Sequence, residues 1–170
     1  LTREEVAETL WPDADASRQQ MLLNSLLHRT RKVLEPDAVS TRGDSCIIQD
    51  GGLLFLNPRK VWTDIQEFTS LHSAVRQTRA SKEQDPGRTL ALYDQAFDLY
   101  RGDMLPGDTY HEWTHGHREN IRRIHTDMLT HAAVLTDAQD DRERSFSYYD
   151  RMFSMDPCNE RACRWLMSWH

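Results

Sequence analysis

The sequence has little cysteine, glycine and proline, and each scarcity excludes a class of protein. Its 170 residues include three Cys, seven Gly and six Pro. Three cysteines are too few, and odd in number, for a disulfide framework, which indicates a reducing, cytoplasmic setting. The low Gly and Pro contents exclude collagen-like and linker-like chains.

Long apolar runs and a signal peptide are also missing. No run approaches the roughly 20 apolar residues that a bilayer-spanning helix needs, so we expect no membrane partner. Residues 1–5 do not have the character of a signal peptide. Because the chain has no initiator Met and begins where a helix is about to start, we expect it to be a fragment of a longer protein.

Positive charge is scarce as well, since 21 Lys and Arg face 27 Asp and Glu, for a net charge of −6. This excludes a protein that coats nucleic acid along its whole length. The acid is unevenly distributed. Residues 1–62 hold eight basic and nine acidic side chains, whereas residues 63–170 hold 13 and 18. The acidity of the second segment favours a surface for protein binding or self-association over a DNA surface.

The 38% hydrophobic content indicates amphipathic helices that bury one narrow stripe each. In the first 62 residues, Thr2 and Glu5 form a T-x-x-E capping box that predicts a helix over 3–11. A second helix is predicted over 16–34. Strand-like residues 45–48 and 53–56 flank Asp50-Gly51-Gly52, a hairpin turn signal. This order is typical of a helix-turn-helix with a β-hairpin wing.

The second helix predicts a DNA-contacting surface. A helical wheel places an apolar arc on one side, made of Leu22, Leu23, Leu26, Leu27, Thr30, Val33 and Leu34. The opposite side is basic and free of acid. We expect five of its side chains to approach bases or phosphates in the major groove: Arg18, Asn24, Ser25, His28 and Arg29. Arg31, Lys32 and Arg42 are expected to hold the DNA backbone. The alternative is a solvated face that happens to be basic.

From residue 64 onward, apolar stripes predict about five helices joined by short turns. The stripes are Ile65, Phe68, Leu71, Val75; Leu90, Tyr93, Phe97, Tyr100; Trp113, Ile121, Ile124, Met128, Ala132, Leu135; Phe146, Tyr149, Phe153; and Ala162, Trp165, Leu166, Trp169. Such helices suggest stacked hairpins of tetratricopeptide type. An irregular α-helical bundle is the alternative.

Several short sequence strings, spread along almost the whole chain, occur in an order that is typical of one protein family. The strings are Thr2-Arg3-Glu4-Glu5-Val6 through Leu10-Trp11-Pro12-Asp13; Arg18, Leu22, Leu26, Arg29, Arg31 and Leu34; Asp50-Gly51, Leu56-Asn57 and Val61-Trp62-x-Asp64 with Phe68; Leu99-Tyr100-Arg101-Gly102-Asp103-Met104-Leu105-Pro106 with Glu112-Trp113; and Asp156-Pro157 with Glu160 and Leu166-Met167. In this order they resemble the bacterial transcriptional activator domain family, joined to an OmpR-like winged helix-turn-helix as in SARP-type regulators.

The resemblance implies a mainly α fold of two parts. Residues 1–62 are expected to form a partial winged helix-turn-helix, without the strands and first helix that normally precede its bracing helix. Residues 63–170 are expected to form a tetratricopeptide-like activator domain, and its array stops early relative to the family. The implied function is a DNA-binding transcription regulator. Its partners are double-stranded promoter DNA and, through the helical domain, the transcription machinery or a second copy of the chain.

One motif competes with this interpretation. His111-Glu112-Trp113-Thr114-His115 matches H-E-x-x-H, in which two His ligands hold zinc and the Glu acts as general base. A zinc peptidase needs a third protein ligand, and nothing in the sequence selects one.

Phosphate-loop, dinucleotide-binding and G-x-S-x-G motifs are absent. We therefore expect no enzyme activity, no metal and no cofactor. A helical interaction module without DNA binding stays as the second alternative.

Overall fold

A computed structural model describes residues 1–36, 45–81, 85–107 and 112–169. The chain folds into two compact units, Leu1–Thr63 and Asp64–His170. In the described ranges the fold is mainly α, with seven helices and one two-stranded antiparallel sheet. A hairpin thus precedes a helical array, which confirms the predicted fold class.

The N-terminal unit begins with two capped helices, α1 (Arg3–Leu10) and α2 (Ala16–Leu34). The Thr2 hydroxyl accepts a hydrogen bond from the Glu5 N–H, and the Glu5 carboxylate accepts one from the Thr2 N–H. The predicted capping box is therefore confirmed. At the start of α2, the Asp15 carboxylate accepts from the Arg18 N–H at 2.9 Å. The helix bounds follow from these local signals.

A hairpin follows, formed by β1 (Ile47–Asp50) and β2 (Leu53–Leu56). Gly51 and Gly52 make its two-residue turn with φ of +53° and +82°, a left-handed conformation that glycine adopts without strain. The chain start also joins this sheet, because the Leu54 N–H donates to the Leu1 carbonyl at 2.9 Å. β1 begins two residues later than the predicted strand over 45–48.

The core of the N-terminal unit is small. Ala7, Leu23 and Leu27 are buried in it, and four half-buried side chains surround them: Val6, Trp11, Ile47 and Leu54. The apolar arc predicted for α2 is wrong at its last turn, where Val33 is 78% and Leu34 is 52% exposed. The reason is the short first helix: the eight residues of α1 extend about 12 Å, whereas α2 extends about 28 Å. α1 is therefore too short to cover α2 along its whole length.

The second unit contains five consecutive helices: α3 (Asp64–Ala80), α4 (Pro86–Leu99), α5 (Glu112–Ala138), α6 (Arg142–Met155) and α7 (Glu160–Met167). Each helix packs against the next along the chain. Asp85, Asp141 and Asn159 cap the helices that follow them. One hydrophobic core extends through all five helices.

The predicted stripes of α3 and α4 are buried or half-buried, whereas parts of the α5 and α6 stripes differ from expectation. Trp113 at the start of α5 is exposed, and Phe146 and Phe153 of α6 are 38% and 39% exposed. The buried face of α6 consists of Ser145, Tyr148, Tyr149 and Met152. The tyrosines can be buried because their hydroxyls find partners: Tyr148 donates to Asp94 at 2.6 Å, and Tyr149 donates to Asp137 at 2.9 Å. The predicted stripe contained Tyr149 but not Tyr148, because the partner of Tyr148 lies on another helix.

The string over 99–106 forms a loop that α5 holds in place. Gly102 has a φ of +140°, which only glycine adopts without strain. The Arg122 guanidinium forms a salt bridge of 2.6 Å with Asp103. Arg118 donates to the carbonyl of Met104 at 2.7 Å and to that of Leu105. The part of this string that follows α4 is thus a loop with specific arginine contacts.

Candidate nucleic-acid interface

The outer side of α2 carries most of the predicted DNA-contacting residues. We call the exposed set the α2 basic face; it consists of Arg18, Asn24, Ser25, His28, Arg29 and Lys32. No Asp or Glu occurs between Ala16 and Leu34. A positive surface without acid attracts phosphates, and an α-helix fits the major groove of B-DNA.

Two of the predicted residues, Asn24 and Arg31, link α2 to other elements of the N-terminal unit. The Asn24 side-chain oxygen accepts a hydrogen bond from the Arg3 guanidinium, which links α2 to α1. The half-buried Arg31 donates to the Ile47 carbonyl at 3.0 Å, which links α2 to β1. In the free protein Arg31 therefore positions the hairpin, and its contact with the DNA backbone stays a prediction. Arg42 lies outside the described residues.

Glu35 and Asn57 also fix the hairpin, and sequence reasoning gave neither of them a role. The Glu35 carboxylate accepts from the Cys46 N–H and from the Ser45 hydroxyl at 3.1 Å. Hydrogen bonds from the Cys46 thiol and backbone lower the pKa of Glu35, so it stays ionised. Glu35 thus holds the two residues that lead into β1.

Asn57 is buried just after β2. Its side-chain amide donates to the Ser45 carbonyl at 3.1 Å, and its side-chain oxygen accepts from the Arg59 N–H at 3.1 Å. A buried amide with partners on both sides fixes the base of the hairpin. The only sequence signal for this role is the Leu56-Asn57 string.

The H-E-x-x-H string gains no support from its surroundings. Its first member, His111, lies outside the described residues, while Glu112 and His115 are exposed on α5 and Thr114 is buried. Among the described residues, no three His, Cys, Asp or Glu side chains lie close enough together to hold a metal ion.

Comparison with protein families decides what the helical unit is. Residues 63–168 match the family described as bacterial transcriptional activator domain. The chain belongs to this family. Searches of curated proteins and of solved structures gave no match.

Membership in the bacterial transcriptional activator domain family assigns the chain to a regulatory class and suggests a role in transcriptional activation. The family is not an enzyme family, which fits the expectation that the chain is not an enzyme. The match covers the helical array. In the described ranges, no helix has an apolar stretch of the length that a membrane crossing requires.

Proposed function

We propose that the chain is a DNA-binding transcription regulator of the bacterial cytoplasm. Residues 1–62 act as a partial winged helix-turn-helix that binds double-stranded promoter DNA. Residues 63–170 act as a tetratricopeptide-like array that mediates self-association or contacts with the transcription machinery. The observation that carries the proposal is the α2 basic face. It lies in the N-terminal unit of a chain that belongs to a regulatory family.

The details of the N-terminal unit support this role. In a helix-turn-helix, the second helix enters the major groove while the first braces it. Here α1 packs on α2 through Ala7, Leu23 and Leu27, which leaves the opposite side of α2 accessible. Arg31 and Glu35 hold the hairpin at the C-terminal end of α2, where a wing contacts the DNA backbone. The OmpR-like and SARP assignments belong to this proposal.

The helical unit supports a role in protein contacts. Its acidic excess disfavours contact with phosphates. The packing of α3 with α4 and of α5 with α6 is the most extensive among its helices, as in stacked helical hairpins.

Replacing Arg29 by Ala is expected to weaken binding of the chain to duplex DNA by about tenfold, because one phosphate or base contact is lost. The measurement is fluorescence anisotropy over a series of salt concentrations, with a duplex enriched from a random pool. If Arg29 contacts a phosphate, the salt slope falls by about one.

The matched control is Arg101→Ala, which removes an exposed positive charge from the helical unit. It should leave DNA affinity and salt slope unchanged. Equal weakening by both substitutions would mean that only net charge matters. Absence of DNA binding by the unsubstituted chain would favour the helical interaction module without DNA binding.

A further inference from the structure

The helical unit carries a cationic patch in which few positive charges are paired with acidic side chains of the same unit. We define the α3–α5 cationic patch as His72, Arg76 and Arg79 of α3 with Arg123 and His131 of α5. Positions 72, 76 and 79 follow the spacing of one helix face, as do positions 123 and 131 with Asp127 between them. The patch is unusual because residues 63–170 are acidic as a whole.

The arginines of the patch are grouped, since Arg76, Arg79 and Arg123 all lie near enough to act on His72. Three other arginines of the unit form salt bridges with acidic residues. Arg122 pairs with Asp103, Arg144 with Asp94, and Arg164 with Glu160. In the patch, Arg123 pairs weakly with Asp127 at 3.7 Å. Within the described residues, Arg76 and Arg79 form no salt bridge and are exposed. Exposed guanidinium groups without a salt bridge are planar donors that can bind carboxylates in a bidentate manner.

A tyrosine and a histidine lie beside Arg79. The Tyr93 hydroxyl and the His131 Nδ1 are 2.7 Å apart, and their ring centroids are 5.7 Å apart. Tyr93 is fully buried in the core, so its hydroxyl has a fixed position. Arg79 lies close enough to interact with both side chains. Arg79, Tyr93 and His131 therefore supply adjacent polar groups from three helices.

Burial is the first cause of a lowered pKa at both histidines of the patch, and neighbouring arginines add to it. Burial lowers the pKa of His72, and Arg76 lowers it further, against the opposing charge of Asp127. Burial also lowers the pKa of His131, and Arg79 adds to this effect. Both shifts have the sign that neighbouring cations produce.

We propose that the α3–α5 cationic patch binds an acidic peptide segment of a protein partner, with Arg76 and Arg79 as the principal carboxylate contacts. The inference rests on the proposed role of the helical array in protein contacts and names the chemistry of the partner. Duplex DNA fits less well, because it is a long polyanion and residues 63–170 hold 18 acidic against 13 basic side chains. The acidic excess of the unit also repels a long polyanion more strongly than a short segment.

The test is binding of a labelled peptide of alternating Asp and Gly residues to the full chain, followed by fluorescence anisotropy. A peptide with Asn in place of Asp serves as the neutral probe. The variant Arg76→Ala/Arg79→Ala should bind the acidic peptide about tenfold more weakly. Its thermal unfolding should change little, because both side chains are exposed and form no salt bridge within the described ranges. Arg79→Lys keeps the charge but not the planar donor pair, so its loss should be smaller.

The matched control is Arg101→Ala/Arg161→Ala, which changes net charge equally at two exposed positions outside the patch. Equal weakening in patch and control variants would overturn the proposal, as would equal binding of the two peptides by the unsubstituted chain. Duplex DNA binding is measured in parallel and should be unchanged in the patch variant. Loss of DNA binding with retained peptide binding would overturn the assignment to an acidic peptide. Failure of the Arg29 test alone would leave this proposal standing.

Discussion

Replacing Leu23 by Ala is expected to unfold the N-terminal unit and abolish its DNA binding. Leu23 is 1% exposed at the centre of a core whose other buried apolar residues are Ala7 and Leu27. A buried Leu→Ala substitution costs about 2–5 kcal/mol, through lost burial and the cavity left behind. Domains of this size have little stability to lose. The loss should therefore exceed the free energy of unfolding of the N-terminal unit.

Amide NMR spectra measure this prediction for each unit separately. Signals of the N-terminal unit should collapse to random-coil positions, whereas those of the helical array should keep their dispersion, because the two cores share no residue. Leu10→Ala is the matched control: Leu10 is 46% exposed, so its loss should change stability by less than about 1 kcal/mol. A Leu23→Ala protein with native signals throughout would contradict the account of this core.

The helical array is expected to lose stability as pH falls from about 6.5 to 4, because of one buried histidine. His125 stacks on Tyr100 with ring centroids 3.8 Å apart and meets the edge of Phe97 at 5.4 Å. Among the described residues, its buried Nδ1 has no hydrogen-bond partner. Burial, with a smaller contribution from Arg151, lowers the pKa of His125 to about 4.

The direction of this pH effect follows from the protonation of His125 in the unfolded and folded states. In the unfolded chain His125 takes up a proton near its usual pKa of about 6.5, whereas the folded protein resists protonation until about pH 4. The stabilisation is therefore complete above the unfolded pKa and is lost as pH falls through the folded pKa. A shift of this size corresponds to about 3 kcal/mol.

The measurement compares thermal or urea unfolding of the unsubstituted protein and His125→Phe at several pH values. Phenylalanine keeps the aromatic packing and removes the titrating group. Carboxylates titrate in both proteins, so the difference between them isolates His125. The unsubstituted protein should lose about 3 kcal/mol relative to the variant over this pH range. Parallel pH profiles would show that His125 does not titrate in this way.

Local signals in the sequence predicted the helix bounds and turns. Thr2, Asp15 and Asn159 cap their helices through bonds to residues only three positions away, so a short window contains all the information. Gly51 and Gly52 likewise carry the conformation of their turn. The order of elements and the exposed side of α2 followed from these signals and the helical period.

Contacts between residues that are far apart in the sequence could not be predicted from local signals. The wheel could not show that Arg31 reaches Ile47, or that Glu35 binds Cys46, because these bonds depend on where the hairpin folds back. The burial of Tyr148 in place of Phe153 depends on Asp94, 54 positions away. The role of the α2 basic face in DNA binding stays a prediction.

Amide NMR of the labelled chain during titration with duplex DNA tests the central claim most directly. DNA binding by α2 predicts the largest shifts at Arg18, Ser25, His28 and Arg29, with smaller shifts at the hairpin turn. The α3–α5 cationic patch and the rest of the helical array should keep their signals. Shifts confined to residues 64–170, or none at DNA concentrations that saturate a specific site, would contradict the account.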